Sequence, residues 1–366
     1  MIISLRDTIM TSASPLDNPV RRRRQARGLS QAQLAQAAHI SRAAVSAIES
    51  SRLVPSVAAA LSLARSLDCT VEELFAAGRS LPLAAPQFAW LPRAFPCRYW
   101  GADVGGRTLL FPVENGPRGG LVHDGVAHSP DVRGVNRSLA EKTLIVAGCD
   151  PAAGLLAAIY RRQGGMRMLV LTRTSGEALE LLDRGLIHIA GVHLADERTG
   201  NGTALAARQL DHDLSLVHLT RWEEGLAVAP GISARSAAAL VRSRLRWVGR
   251  PIGAGARRCQ DLVRGDRPAP RHTARDHRGV VEAIRCGWAD VGVSIRLASE
   301  EGQLAFVSVS EEPYDLCYLS SEAGDPRIAA LTRAVRSAEY RHLLGDLPGY
   351  RPQNLGQIEA VPRSGS

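Results

Sequence analysis

A chain of 366 residues, 45% apolar and 22% charged, is long enough for two or three domains and too apolar for wholesale disorder. No run approaches the ~20 apolar residues of a membrane helix, and Arg6 and Asp7 break the apolar core that a signal peptide would need. The net charge of +9 is concentrated, because residues 21–52 hold seven arginines against Glu49 alone and so carry +6 of it. Such a segment reads as an electrostatic footprint for phosphate rather than general basicity. Six cysteines, at 69, 97, 149, 259, 286 and 317, include no Cys-x-x-Cys pair and fit reduced thiols. A cytoplasmic protein without a membrane partner is expected.

Residues 1–16 read as a flexible arm, and 17–78 as a helical domain. Ser30 has the position of an N-cap, with Gln33 three residues on to complete a capping box. His39 and Ile40 form a turn, Ser41 caps the next helix, and Val45 and Ile48 give that helix an apolar stripe. Its opposite face carries Arg42, Ala43 and Ser46, with Arg52 just beyond, small and cationic groups suited to a major groove. Asn18 to Phe75 resembles the helix-turn-helix domain of the Xre/Cro/C1 repressor family. The resemblance rests on the arginine-rich first helix, Ser30-Gln31-x-x-Leu34-Ala35, Ile40-Ser41-Arg42, Val45-Ser46-x-Ile48-Glu49 and Arg52-x-x-Pro55. It implies a five-helix bundle in which Arg24 pairs with Glu49. Arg42, Ala43 and Ser46 would meet base edges, Ser41 would open the DNA-binding helix, and Gln31, Arg52 and some of Arg21–Arg23 would meet phosphate. His39 stands where the family usually has a left-handed glycine; His is one of the few other residues enriched there.

Four prolines between 82 and 96 mark 79–98 as a linker. Short β-like runs broken by glycine turns make 99–139 a small β segment, read as a spacer. From 140 to 350 strands and helices alternate, as in an α/β domain with a mainly parallel sheet that binds ligands at its strand ends. Residues 351–366 read as a C-terminal tail. The fold expected is therefore multidomain: an all-α helix-turn-helix bundle, a small β segment, and an α/β two-lobed domain.

Several segments between Leu144 and Tyr350 give that last domain its resemblance: Ala147-Gly-Cys-Asp-Pro-Ala, His188-Ile-Ala-Gly-Val-His193, Arg221-Trp-Glu-Glu-Gly-Leu, Arg250-Pro-Ile-Gly-Ala-Gly-Ala-Arg257, Gly287-Trp-Ala-Asp-Val-Gly and Tyr314-Asp-Leu. It is similar to the periplasmic-binding-protein-like domain found fused to DNA-binding modules and in molybdopterin-biosynthesis proteins. The resemblance implies two lobes joined by two crossovers, closing on molybdate, tungstate or a related compound. Two glycines (Gly253, Gly255) bracketed by Arg250 and Arg257, ahead of a helix, make the strongest anion candidate. Ala254 and Ala256 stand where relatives often carry hydroxyls, which weakens the molybdate reading.

Asp150, Thr172, Thr174, Ser175, His193 and His277 occupy the same expected rim. His188 reads as a core residue, and Trp222 as either a cleft wall or core. His188 and His193, five apart across a strand end, do not share a helical face as zinc ligands would, so no metal site and no cofactor is expected. No nucleotide-loop, zinc-protease or nucleophile-elbow motif points to catalysis. The sequence thus predicts a non-enzymatic, ligand-responsive regulator, a homodimer on double-stranded operator DNA with a small-molecule or oxyanion effector. The alternative is an enzyme or carrier of molybdenum-cofactor metabolism with an accessory DNA-binding domain.

Overall fold

The computed structural model describes residues 18–50, 52–75, 85–114, 122–193, 210, 212–233 and 236–363, so the expected arm lies outside the described residues. The chain divides into two compact units, 1–84 and 85–366.

In the first unit the helices are α1 (Pro19–Ala26), α2 (Gln31–Ala37), α3 (Arg42–Glu49), α4 (Val57–Ser66) and α5 (Val71–Phe75). Side-chain caps start the first four: Asn18, then Ser30 with Gln33 in a reciprocal capping box, Ser41 and Ser56. His39 takes φ +54°, the left-handed turn that its position demands. Val20, Leu34, Val45, Ile48, Leu63, Leu67 and Leu74 close one small core.

The second unit holds two sheets. Strands β1 (Gln87–Phe88), β2 (Cys97–Val104), β3 (Arg107–Pro112) and β4 (Gly125–Ala127) form a sheet of order β1-β3-β2-β4. This sheet is no spacer. Trp100, Ala102, Val104, Leu109 and Phe111 share a hydrophobic cluster with Ile145, Ala147 and Leu171 of the α/β region. Polar ties reinforce the joint. His188 accepts the Ile145 N–H at 2.9 Å and donates through Nε2 to the Asp103 carbonyl at 2.8 Å, while Arg167 pairs with Asp124. His188 is a core histidine, as expected, and burial lowers its pKa to about 4.

The large sheet contains β5 (Thr143–Gly148), β6 (Arg167–Thr172), β7 (Ile189–Val192), β8 (Leu214–Val228), β9 (Trp247–Gly249), β10 (His272–Thr273), β11 (Val291–Ile295) and β12 (Ala305–Leu319), ordered β10-β9-β11-β8-β12-β7-β5-β6. Strands β13 (Tyr350–Arg351) and β14 (Ile358–Val361) also pair with β8, so part of the expected tail is built into the sheet. The sheet is mixed rather than mainly parallel. β5, β6 and β7 run parallel at one end and β9, β10 and β11 at the other, but β8 and β12 pair antiparallel along their length. Residues 214–228 and 305–319 each form one continuous strand of 15 residues. These are the two crossovers. They carry the chain from a lobe built on β5–β7 to one built on β9–β11, and their midpoints lie where the lobes meet.

Candidate functional site

Two sites take shape. In the first unit, Ser41 opens α3, and Arg42 and Ala43 stand exposed on its first turn, with Ser46 half-buried. The helix is held from behind. Arg24 donates to Glu49 at 2.6 and 3.1 Å, and Gln31 Nε2 donates to the same carboxylate at 2.9 Å. Burial works against the Glu49 charge, but the bonds from Arg24 and Gln31 outweigh it and lower its pKa. Gln31, expected at phosphate, therefore spends an amide hydrogen on positioning α3. Arg52 is exposed and donates to Ser50 Oγ at 2.9 Å.

In the second unit the ends of β5, β7 and β9 and the middles of β8 and β12 converge. Asp150 accepts from Tyr350 OH at 2.5 Å and from the Ala152 N–H at 2.8 Å. Ser175, fully buried, exchanges hydrogen bonds of 3.2 and 3.3 Å with the backbone of His193. His193 Nδ1 meets Glu312 Oε2 at 3.1 Å. Trp222 forms the floor, its ring centroid 4.6 Å from Tyr314, 5.0 Å from His193 and 5.7 Å from His277. Small residues permit this closeness. A Cβ at Gly191 would collide with the Tyr314 hydroxyl, and one at Gly255 with the His193 carbonyl. The lobes touch here: the Gly176 N–H donates to the Gly253 carbonyl at 3.1 Å.

The cluster is rich in polar atoms that the protein leaves alone. Asp150 Oδ2, Trp222 Nε1, Arg250 Nε and Nη1, and both His277 nitrogens are buried without a hydrogen-bond partner among the described residues. Native interiors pair nearly all such groups, so a concentration of exceptions marks a place built for a ligand. The charges respond to burial and to one another. Burial, then the Glu312 carboxylate, pushes Glu224 up to about 8. Burial opposes the charge on His193, but Cys149, Glu312 and Glu224 raise its pKa well above the ordinary value. His277, buried beside Arg250 and His193, is driven well below it.

A helix-turn-helix family profile matches residues 20–74, and the PBP superfamily domain profile matches residues 156–336. The chain joins a helix-turn-helix domain to a PBP-like domain. The uncharacterized protein YvgK of Bacillus subtilis is 23% identical over 228 residues, 59% of this chain and 73% of its own. Among solved structures, the chain is similar to a putative phosphate ABC transporter substrate-binding protein with bound phosphate from Clostridium perfringens. That match has TM-score 0.48 and 9% identity, and covers 57% of this chain and 99% of that one. A reduced form of OxyR from N. meningitidis matches with TM-score 0.41 and 12% identity, covering 57% and 98%.

The PBP-like domain gathers Asp150, Ser175, His193, Arg250, Gly255 and His277 of the residues expected at its ligand site. Four others lie at its edge. Thr174 caps its own helix together with Glu177, Thr172 lies half-buried at the end of β6, and Gly253 is on the exposed rim. Arg257 turns along its helix to pair with Asp261 at 2.8 Å. Arg250, not Arg257, is the buried guanidinium of the cleft. Sequence reasoning missed Cys149, Glu224, Glu312 and Tyr314. The i, i+2 spacings Trp222/Glu224 and Glu312/Tyr314 were the available signal, since each pair shares one face of a strand.

Proposed function

We propose that this chain is a transcriptional regulator, binding a pseudo-palindromic operator as a homodimer through α3 while a small anionic effector in the PBP-like cleft sets its DNA affinity. The observation that carries the reading is the buried Arg250, whose Nε and Nη1 have no partner among the described residues, beside the likewise unpartnered Trp222 Nε1 and His277. The helix that begins at Gly255 has no side-chain cap and adds a positive dipole end to the same place. With its pKa at about 8, Glu224 keeps its proton at neutral pH and serves as a donor rather than repelling an anion. Nothing in the cleft favours molybdate or tungstate over other oxyanions or small organic acids. For occupancy to reach DNA, the effector must bind the high- and low-affinity states unequally.

The test pairs operator titration with thermal shift of the full chain in molybdate, tungstate, sulfate, phosphate and small organic acids. One anion should raise the melting temperature and change operator affinity together. Arg250→Ala should abolish both responses to that anion. Arg42→Ala should cost about 1–3 kcal/mol of operator binding and relax its sequence preference. An unchanged operator profile in Arg42→Ala removes the α3 assignment, and a full anion response in Arg250→Ala removes the cleft assignment.

A further inference from the structure

The cleft gathers several side chains of the kinds that ligate metals. Asp150, Glu224 and Glu312 are all buried there with Cys149, beside Arg250. At the same place, one ligand atom each of Cys149, His193 and His277 lies within 4.8 Å of the others, and His193 shares a second such group with Glu224 and Glu312. His193 and His277 are both 0% exposed, with Cys149 beside the His193 ring, yet neither His277 nitrogen has a hydrogen-bond partner among the described residues. A buried imidazole with neither nitrogen engaged is unfavourable, and a metal ion is the partner that suits a neutral ring nitrogen.

We propose that Cys149, His193 and His277 bind a divalent transition metal of the zinc class, leaving one coordination position open. A thiolate and two imidazoles form a borderline-soft donor set, and three protein ligands with a free fourth position make an open rather than a closed site. Bonds of ~2.0–2.3 Å in a tetrahedral arrangement set ligand atoms roughly 3.4–3.6 Å apart, so movements of about 1 Å from the present spacing complete it. The surroundings support this choice. Glu312 engages His193 Nδ1 at 3.1 Å, which leaves Nε2 for the metal and fixes the tautomer in a carboxylate–histidine–metal relay. Gly255 makes room for the ring, since a Cβ there would lie 2.5 Å from His193 Cε1. The inference rests on reading this cleft as the effector site, and gives the effector's anionic group a place between the metal and Arg250.

The experiment uses the full chain stripped of metal with a chelator and titrated with Zn²⁺ or Co²⁺ alone. One equivalent should bind per chain, and the Co²⁺ form should show thiolate-to-metal charge-transfer absorption. Cys149→Ser should eliminate that absorption and His277→Ala the stoichiometric uptake, each with its circular dichroism retained. Glu312→Gln, which keeps the ligands and alters only the relay, should weaken affinity about 10–100-fold. Cys286→Ser, at an exposed thiol, should leave uptake intact. Failure of the wild type to bind one equivalent, or full charge-transfer absorption in Cys149→Ser, overturns the proposal. If the metal-stripped chain still melts higher with an oxyanion but takes up no metal, the metal site falls and the effector reading stands. If it takes up metal but responds to no anion, the metal site stands and the effector reading falls.

Discussion

Two buried acids, one in each unit, show how the same chemistry can serve opposite ends. Glu49 in the helix-turn-helix domain is 4% exposed and fully engaged, gripped by Arg24 and Gln31. Glu224 in the PBP-like domain is 0% exposed beside the Glu312 carboxylate, and burial holds it protonated. A satisfied buried charge fixes geometry, as Glu49 fixes the angle at which α3 is presented. One crowded against a second carboxylate is held neutral instead, and lowers stability only where pH is high enough to ionise it.

Three substitutions sharpen this contrast. The largest effect is expected from Glu49→Ala, which strands Arg24 and should destabilise the helix-turn-helix domain by about 3–5 kcal/mol in denaturant unfolding. A loss under about 1 kcal/mol would show that the pair is not structural. Glu224→Gln should act in the other direction. The Glu224 pKa is raised on folding to about 8, so the folded state holds its proton where the unfolded chain releases it. Its contribution is fully present below the ordinary glutamate range and is lost as pH rises towards 8. Glu224→Gln should therefore flatten the decline in stability of the effector-free chain across that window, leaving the variant the more stable at pH 8. A steeper decline in the variant would contradict the assignment. His39→Gly tests the smallest effect. It relieves a non-glycine left-handed turn at φ +54° and should stabilise the bundle by less than about 1 kcal/mol, read as a small rise in its melting temperature.

The first unit was legible because its signals are local. The Ser30–Gln33 box, the Ser41 cap and the turn at His39 each depend on residues within three or four positions, and each has the geometry expected of it. The cleft was legible only where it follows the rule that ligands gather at strand ends, which located Asp150, Ser175, His193, Arg250 and His277. The crossovers were not. Charged residues at 221–224 and 310–312 interrupt their apolar runs and look like turns, because a strand that changes lobes exchanges one neighbourhood for another midway. The choice between Arg250 and Arg257 turned on Asp261, one helical turn beyond Arg257, which claims that arginine locally.

The two long crossover strands have a mechanical consequence. Trp222, Glu224, Glu312 and Tyr314 lie on the same segments that join the lobes, and β12 slips register between Ser308 and Ser310 and again between Tyr314 and Asp315, on either side of Glu312. Such irregularities let a strand bend without breaking its ladder. Whatever occupies the space between these side chains therefore acts at a fulcrum, and tenths of an ångström at that pivot become a much larger swing at the far ends of the lobes.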